Sequence, residues 1–408
     1  MKRQEIKFLH ISTLIAFILI PLGGLTTDIY IPSLPTMARQ LNVPMQAVQL
    51  SLLIFMVSSG VSQLFIGSIL DSYGRYKINI AALVLFAASS FAIALIPQIY
   101  LIYAMRVVQG ISVSLIIVGK RAFFVDMYEG QKLRNYTSMF SIVWATAPIV
   151  APFIGGYLQS IFGWQANFYL LGGLAILVLG FELRYSGESL KTFQSFQLSK
   201  VVQNYRMMLT APDFTLGLII IGLSYSLLVI YGMVSPFLIE KRYGFSPVIT
   251  GYSSLLSGLA LMLGGIFSKL LINKPLFNKL FSAVTVQIIS AAVMLFTTLH
   301  WENIETLVGF TVVIHFLSGF IFNNMYAYCL QRFTSNAGTA SGLTGGGIYV
   351  ISSFVGYSLI RFLEIKSADI LAAINLAVVL ILLILMVTLK KVSQTADTPA
   401  QLLTSDTK

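Results

Sequence analysis

One acid and one base stand where an apolar chain ordinarily carries neither. Asp28 closes the first long apolar run, in GGLTTDIYIPSLP (23–35), and Arg106 lies inside a later run, in RVVQGISVSLIIVG. A charge within hydrocarbon costs ~3 kcal/mol or more, so each group calls for a partner or a use. A carboxyl group can take up and release a proton. Burial favours its protonated form and a neighbouring guanidinium its charged form, so the two influences together poise an acid for exchange. Arg106 shares one helix face with Gln109 and Gly110 at spacings of three and four. Its expected partner is Asp28 or a polar network that includes it. The alternative readings are a rim acid at Asp28 and an arginine that snorkels to the surface.

Other polar groups within apolar runs are His315, Asn323 and Asn324, and the aromatic candidates on other runs are Tyr30, Trp144 and Tyr231. His315 is either a titrating group or a hydrogen-bonded neutral histidine. The aromatics either pack or line a cavity for an apolar cargo. The single cysteine, Cys329, excludes an internal disulfide framework, and no Cys/His cluster has metal-ligand spacing. No nucleophile–base constellation supports an enzyme, and no ring of like charge supports a channel.

The elements that must position these groups follow from composition. Of 408 residues, 57% are hydrophobic and 10% charged, against about 25% charged in soluble domains. The apolar residues fall in blocks near the ~20 that span a bilayer as a helix. Twelve runs can be marked, at 8–31, 43–70, 78–97, 99–120, 136–160, 165–183, 213–239, 247–272, 277–299, 304–331, 338–362 and 367–389. The fold expected is all-α and polytopic, with an uncleaved first span because no A-x-A-like site follows it. With an inside N-terminus, 20 of the 26 lysines and arginines fall on inner segments and five on outer ones, Arg106 lying within a span. That bias places both termini in the cytoplasm. The net charge of +11 is accounted for by these inner segments, so no nucleic-acid partner is called for.

The longest break, 184–212, divides the chain into a six-helix bundle at 1–183 and another at 213–391, with a cytoplasmic tail at 392–408 expected to be disordered. The linker segment FQSFQLSKVVQNYRMM is either an amphipathic surface helix or a plain tether. GSILDSYGRYK (67–77) is echoed by GGIFSKLLINK (264–274), where Ser268 replaces Asp71 and Ile272 replaces Arg75. Two six-helix repeats describe one large transporter architecture.

At GSILDSYGRYK the chain resembles the major facilitator superfamily, whose signature between spans two and three is G-x-x-x-D-x-x-G-R-[RK]-x. Gly67, Asp71, Gly74 and Arg75 match, and Tyr76 departs. RVVQG (106–110) resembles the family's R-x-x-Q-G motif, APIVAPFIGG (147–156) is similar to the proline- and glycine-rich motif of its exporters, and TTDIYIPSLPTMARQL (26–41) resembles the first span of its drug:proton antiporters of the bicyclomycin/chloramphenicol-resistance type; with GWQANFYL (163–170) and NAGTASGL (336–343) the resemblance covers essentially all twelve runs. The resemblance implies a bacterial inner-membrane, proton-coupled exporter of small apolar or amphipathic compounds. The proton gradient serves in place of any cofactor, and a monomer suffices. A dedicated exporter or importer of one metabolite or siderophore on the same fold remains the alternative.

Roles follow from resemblance and residue chemistry together. Asp28 and Arg106 form the proton-coupling pair. Gly67, Asp71, Gly74 and Arg75, with Asp126 as partner of Arg75, form a conformational latch in which Gly67 allows close helix approach and Asp71 faces the start of span eleven. Pro148, Pro152, Gly155 and Gly156 form a bent, tightly packed seal. Tyr30, Gln109, Trp144, Tyr231, His315, Asn323 and Asn324 are expected around the substrate cavity. The first helix is expected to continue through Pro32 and Pro35 toward Ala38, which would carry Asp28 into the membrane.

Overall fold

Apolar segments that cross a bilayer must satisfy their own backbone groups, and helices do so within each segment. In a computed structural model the chain is helical nearly throughout. The structure describes residues 2–405 except 194–195, 334–336 and 364, and the side chains at 141–142, 144–145, 200, 337, 360 and 395–405 lie outside that description. In order the helices are α1 (Leu9–Leu19), α2 (Leu22–Asp28), α3 (Leu34–Gln40), α4 (Met45–Tyr73), α5 (Tyr76–Leu95), α6 (Ile99–Met127), α7 (Gly130–Phe162) and α8 (Gln165–Tyr185). They continue as α9 (Leu198–Leu209), α10 (Pro212–Phe237), α11 (Pro247–Leu270), α12 (Leu276–His300), α13 (Ile304–Arg332), α14 (Ala337–Phe362) and α15 (Ala368–Ser405). Among the described residues ten helices are long and apolar enough to cross a membrane, the first being the composite Ile6–Gln40. The chain is thus a multi-pass helical membrane protein. The last helix, Ala368–Ser405, runs past the boundary at 391 expected from hydropathy.

The first span is one rod made of pieces. Pro21, Pro32 and Pro35 each lack the N–H that would close a helical bond; α1 and α2 are separated at Pro21, α2 and α3 at Pro32, and Pro35 lies in the first turn of α3. The rod nonetheless continues to Gln40, and Asp28 ends its middle piece while 8% exposed. Short turns at the two ends of the bundle reverse the chain. Asn42 (φ 53°) joins α3 to α4 at one end, and Gly74 (φ 90°) joins α4 to α5 at the other. An L side chain rarely adopts the latter angle, which accounts for the second glycine of the 67–77 motif.

Among the described residues two long helix pairs join the earlier helices of the chain to the later ones. α4 lies along α14, and α7 lies along α11. Both use the close approach that small residues allow in membranes. A Cβ on Gly60 would stand 2.7 Å from the Gly346 carbonyl oxygen, and one on Gly251 would stand 2.8 Å from that of Pro152. Among the described residues a Cβ at Gly67 would meet nothing within 4 Å. α4 makes its tight contact two turns earlier, at Gly60. The linker forms helix α9, and Tyr205 on it donates to the Leu64 carbonyl of α4 at 2.5 Å.

Candidate functional site

Asp28 faces a cavity of about 30 Å³ between the halves. Thr27 and Asp28 line it from the first span, Pro148 and Pro152 from α7, and Tyr225, Tyr231, Ser254 and Ser257 from α10 and α11. That volume is on the scale of one or two water molecules, so the two halves are closed around the acid. Asp28 Oδ2 is buried and, among the described residues, has no hydrogen-bond partner. The neighbouring threonines do not supply one. Thr26 and Thr27 donate to the backbone carbonyls of Leu22 and Gly23 at 2.6 and 2.8 Å, a pattern that bends helices. The carboxyl group is therefore presented to the cavity by a bent helix end.

Arg106 is fully buried, but its hydrogen bonds go elsewhere than to Asp28. Its Nη1 donates to Gln109 Oε1 at 2.8 Å, both Nη atoms reach the Thr26 carbonyl at 3.3 Å, and Nε reaches the Ser51 carbonyl at 3.4 Å. The guanidinium lies between the rings of Tyr30 and Phe55, 4.5 and 4.6 Å from their centroids. Such cation–π contacts are worth most when desolvated, as here. Gln109 in turn donates to Ser90 at 2.8 Å, and the Tyr30 hydroxyl pairs with Ser51 at 3.1 Å. The charge acts on Asp28 through space only, without an ion pair. Its direct effect is to hold the backbone at Thr26, two residues before the acid. The polar network expected around Arg106 is present, and it grips the helix that carries Asp28.

The sequence around α7 explains why Asp28 can lie so close to the other half. Any side chain at Gly155 would collide with the Ile29 carbonyl oxygen, and a Cβ on Gly156 would stand 2.7 Å from the Pro247 carbonyl. Gly24 likewise takes Ala147 against it, a Cβ there standing 2.6 Å from that methyl. Pro148 and Pro152 lie inside α7 and line the cavity. The PxxxP and GG pattern thus lets one helix pack against both the broken first span and α11.

The remaining expected cavity residues separate into groups. Tyr231 reaches the cavity, and its hydroxyl pairs with Ser253. His315 stands behind it, with Nδ1 against Ser257 Oγ at 2.6 Å and its ring edge-on to Tyr231 at 5.5 Å. Tyr30 and Gln109 belong to the Arg106 network. Asn323 joins α13 to α11 by bonding the Gly265 carbonyl at 3.1 Å and Ser268 Oγ. Asn324 bonds back to the Phe320 carbonyl at 2.8 Å. The Trp144 side chain lies outside the described residues.

At the Gly74 end, Arg75 joins three elements. Nη2 bonds Asp71 at 3.0 Å, and Nη1 pairs with Asp126 at 2.6 Å. The recorded partner of Asp71 is Arg75, and residues 334–336, before α14, lie outside the described residues. Glu188 accepts from the backbone N–H groups of Arg75 and Tyr76 at 3.0 and 3.1 Å, where α5 begins. A carboxylate at a helix start is favourably placed. Ser189 donates to Asp126 at 2.7 Å, and Arg3 donates to the Leu190 carbonyl at 2.8 Å. Beneath this cluster Lys120 pairs with Glu182 at 2.5 Å, and Asn79 donates to Glu182 at 3.2 Å. Sequence reasoning did not find Glu188, Glu182 or Lys120. Lys120 and Glu182 lie at the ends of different apolar runs, a signal too common to single out, and Glu188 sits 113 residues from its partner.

A family model described as Major Facilitator Superfamily matches residues 16–357. The chain is 30% identical over 344 residues to "Uncharacterized MFS-type transporter YdgK" of Bacillus subtilis (strain 168), covering 79% of this chain and 82% of that protein. It is 28% identical over 375 residues to "Multidrug resistance protein MdtL" of Shewanella sp. (strain ANA-3), covering 90% and 92%. It is 24% identical over 378 residues to the "Bicyclomycin resistance protein homolog" of Haemophilus influenzae (strain ATCC 51907 / DSM 11121 / KW20 / Rd), again covering 90% and 92%. Among solved structures, the fold is similar to that of a D-xylose-proton symporter, with a TM-score of 0.70, 14% identity, and coverage of 92% of this chain and 97% of that one.

Proposed function

The chain belongs to the major facilitator superfamily, and from that premise we propose that it is a proton-coupled exporter of small apolar or amphipathic compounds. As a member of that family it is a membrane transporter and not an enzyme. The observation that carries the proposal is the placement of Asp28. One carboxyl group, with an oxygen that no donor holds, faces a cavity built by both halves. A group held by no fixed partner is free to exchange one for another. Open to the outside, Asp28 takes a proton. Open to the cytoplasm, it releases the proton, and cargo takes the site beside the charged acid. Proton and cargo exclude each other, and that exclusion is antiport.

Arg106 serves by holding Thr26, and so the register of Asp28, against the movement of the halves. The halves, 1–183 and 213–391 joined by the linker 184–212, rock about this midplane site. The contact of α7 with α11 closes the outer side. The Asp71–Arg75–Asp126 cluster holds the inner side and opens when the carrier turns inward. Twelve spans with both termini in the cytoplasm, a bacterial inner membrane and a monomer complete the proposal. The relatives' names make bicyclomycin a first cargo to test.

The test uses proteoliposomes in which one population has an acid interior. Wild type should accumulate labelled cargo and collapse the pH gradient in fixed ratio. Asp28→Asn should do neither, while its counterflow of the same cargo without a gradient persists. Equal gradient-driven accumulation by both proteins would remove Asp28 from the mechanism. Accumulation without proton movement would remove the coupling.

A further inference from the structure

A groove of about 410 Å³ opens at the Gly74 end of the second half, between α11, α12 and α13. Its floor is apolar, with Phe267, Leu271, Phe316 and Phe320, and its mouth carries Lys274 and Lys279. This is the repeat counterpart of the place where Arg75 is locked to acids in the first half. There Ser268 and Ile272 stand in for Asp71 and Arg75. Among the described residues no acid is paired with these bases, although Lys279 Nζ donates to the Leu271 carbonyl at 3.3 Å. An ammonium has three donors, so that bond leaves it capacity for another acceptor.

Three features point at one kind of occupant. The mouth is basic and lies where α11 ends and α12 begins, at the ends of two helices long and apolar enough to cross a membrane. Helix α12 starts there, and Pro275 gives it no side-chain cap, so its first N–H groups add positive potential. The floor is aromatic and aliphatic, and Phe267 is 41% exposed. We propose that the groove is a binding site for an anionic glycerophospholipid, with its phosphate on Lys274 and Lys279 and an acyl chain along Phe267 and Phe320. A zwitterionic lipid supplies the same chain but brings its own cation to the lysines. A cationic amphipathic compound is repelled there. The site selects by headgroup charge.

The experiment is native mass spectrometry of the full chain released from nanodiscs of phosphatidylcholine and phosphatidylglycerol in equal parts. Each lysine at an anionic surface contributes about 1 kcal/mol, so two give about thirtyfold preference for the retained phosphatidylglycerol. Lys274→Gln with Lys279→Gln should abolish that preference. Ser282→Trp, at the exposed groove wall, should lower retention of both lipids while keeping the lysines. Equal retention of the two lipids by wild type, or an undiminished preference in the double variant, overturns the proposal. So does a retained species that is not a lipid. The wild-type comparison decides even where a variant fails to fold. Because the readout is binding, it stands or falls apart from proton coupling.

Discussion

The turn at 74–75 and its repeat at 271–272 occupy the same place in the two halves and have opposite chemistry. In the first, Arg75 draws together Asp71, Asp126 and, through the backbone, Glu188. In the second, a serine and an isoleucine leave a groove with unanswered lysines. The same contrast recurs at the centre. The 197-residue offset that pairs the two turns also pairs Asp28 with Tyr225, and both line the shared cavity. Duplication supplies two copies of a scaffold. Once one copy carries the ionisable groups, the other can provide a neutral wall and fresh surface.

The sharpest test of that division is at the cavity. Asp28→Asn should lower gradient-driven transport at least about tenfold, a step of 1.4 kcal/mol or more in coupling. Tyr225→Phe should leave the pH dependence of transport in place, since it removes no ionisable group used in the cycle. A matching loss in Tyr225→Phe would erase the contrast between halves.

Packing gives the next effect. Gly155→Ala sets a methyl against the Ile29 carbonyl, whereas Gly309→Ala in the second half meets nothing within 4 Å. Overpacking of this kind costs about 1–3 kcal/mol or more. The melting temperature in detergent should fall for the first and stay level for the second. The latch follows. Arg75→Gln takes the cation from Asp126, 11% exposed at its side chain, and leaves it the Ser189 hydroxyl; breaking a buried ion pair costs up to about 3 kcal/mol. Part of that should appear as lower thermal stability and faster labelling of an inner-side cysteine probe. Lys274→Gln, with no acid to strand, should change melting by less than about 0.5 kcal/mol equivalent.

The smallest effect lies at the opposite end of the second half. Burial pushes Glu302 up, but the Arg242 hydrogen bonds at 3.0 and 2.6 Å and the Ala368 amide outweigh it and hold the carboxyl below its usual range. A lowered folded value means its stabilisation is complete above the unfolded value and fades as pH falls through the folded one. Wild type should therefore lose stability below about pH 4.5 that Glu302→Gln does not lose. Arg242 is half exposed, so the effect is small. A melting series from neutral to acid pH for both proteins reads it directly.

Much of this arrangement is legible along the chain because depth in a bilayer is a one-dimensional quantity. Apolar run lengths located the rods, and the prolines after Asp28 did not end the first one, which reaches Gln40. The turn chemistry at Gly74 was equally local. What a single strand of letters leaves out is rotation about each rod. Nothing in RVVQG tells whether Arg106 aims at a carboxylate or at the Thr26 carbonyl, both within one turn of each other on the facing helix. Gly67 reads as a contact glycine because of its neighbours in the motif, while the contact falls at Gly60. Glu188 is ordinary in its own segment and acquires its role only where two loops meet.

The hydroxyl of Tyr205 on α9, bonded to Leu64, also lies 3.8 Å from where a Cβ on Gly342 would stand. The connecting segment is therefore its own intramolecular ligand for the seam between the two halves. Tethered at both ends, such a group acts at an effective concentration on the millimolar scale. A tethered group that leaves such a seam can return without diffusing away. A linker so placed sets how often the seam is bare as well as how far the halves can part. A free peptide of the same sequence should compete with it for that seam.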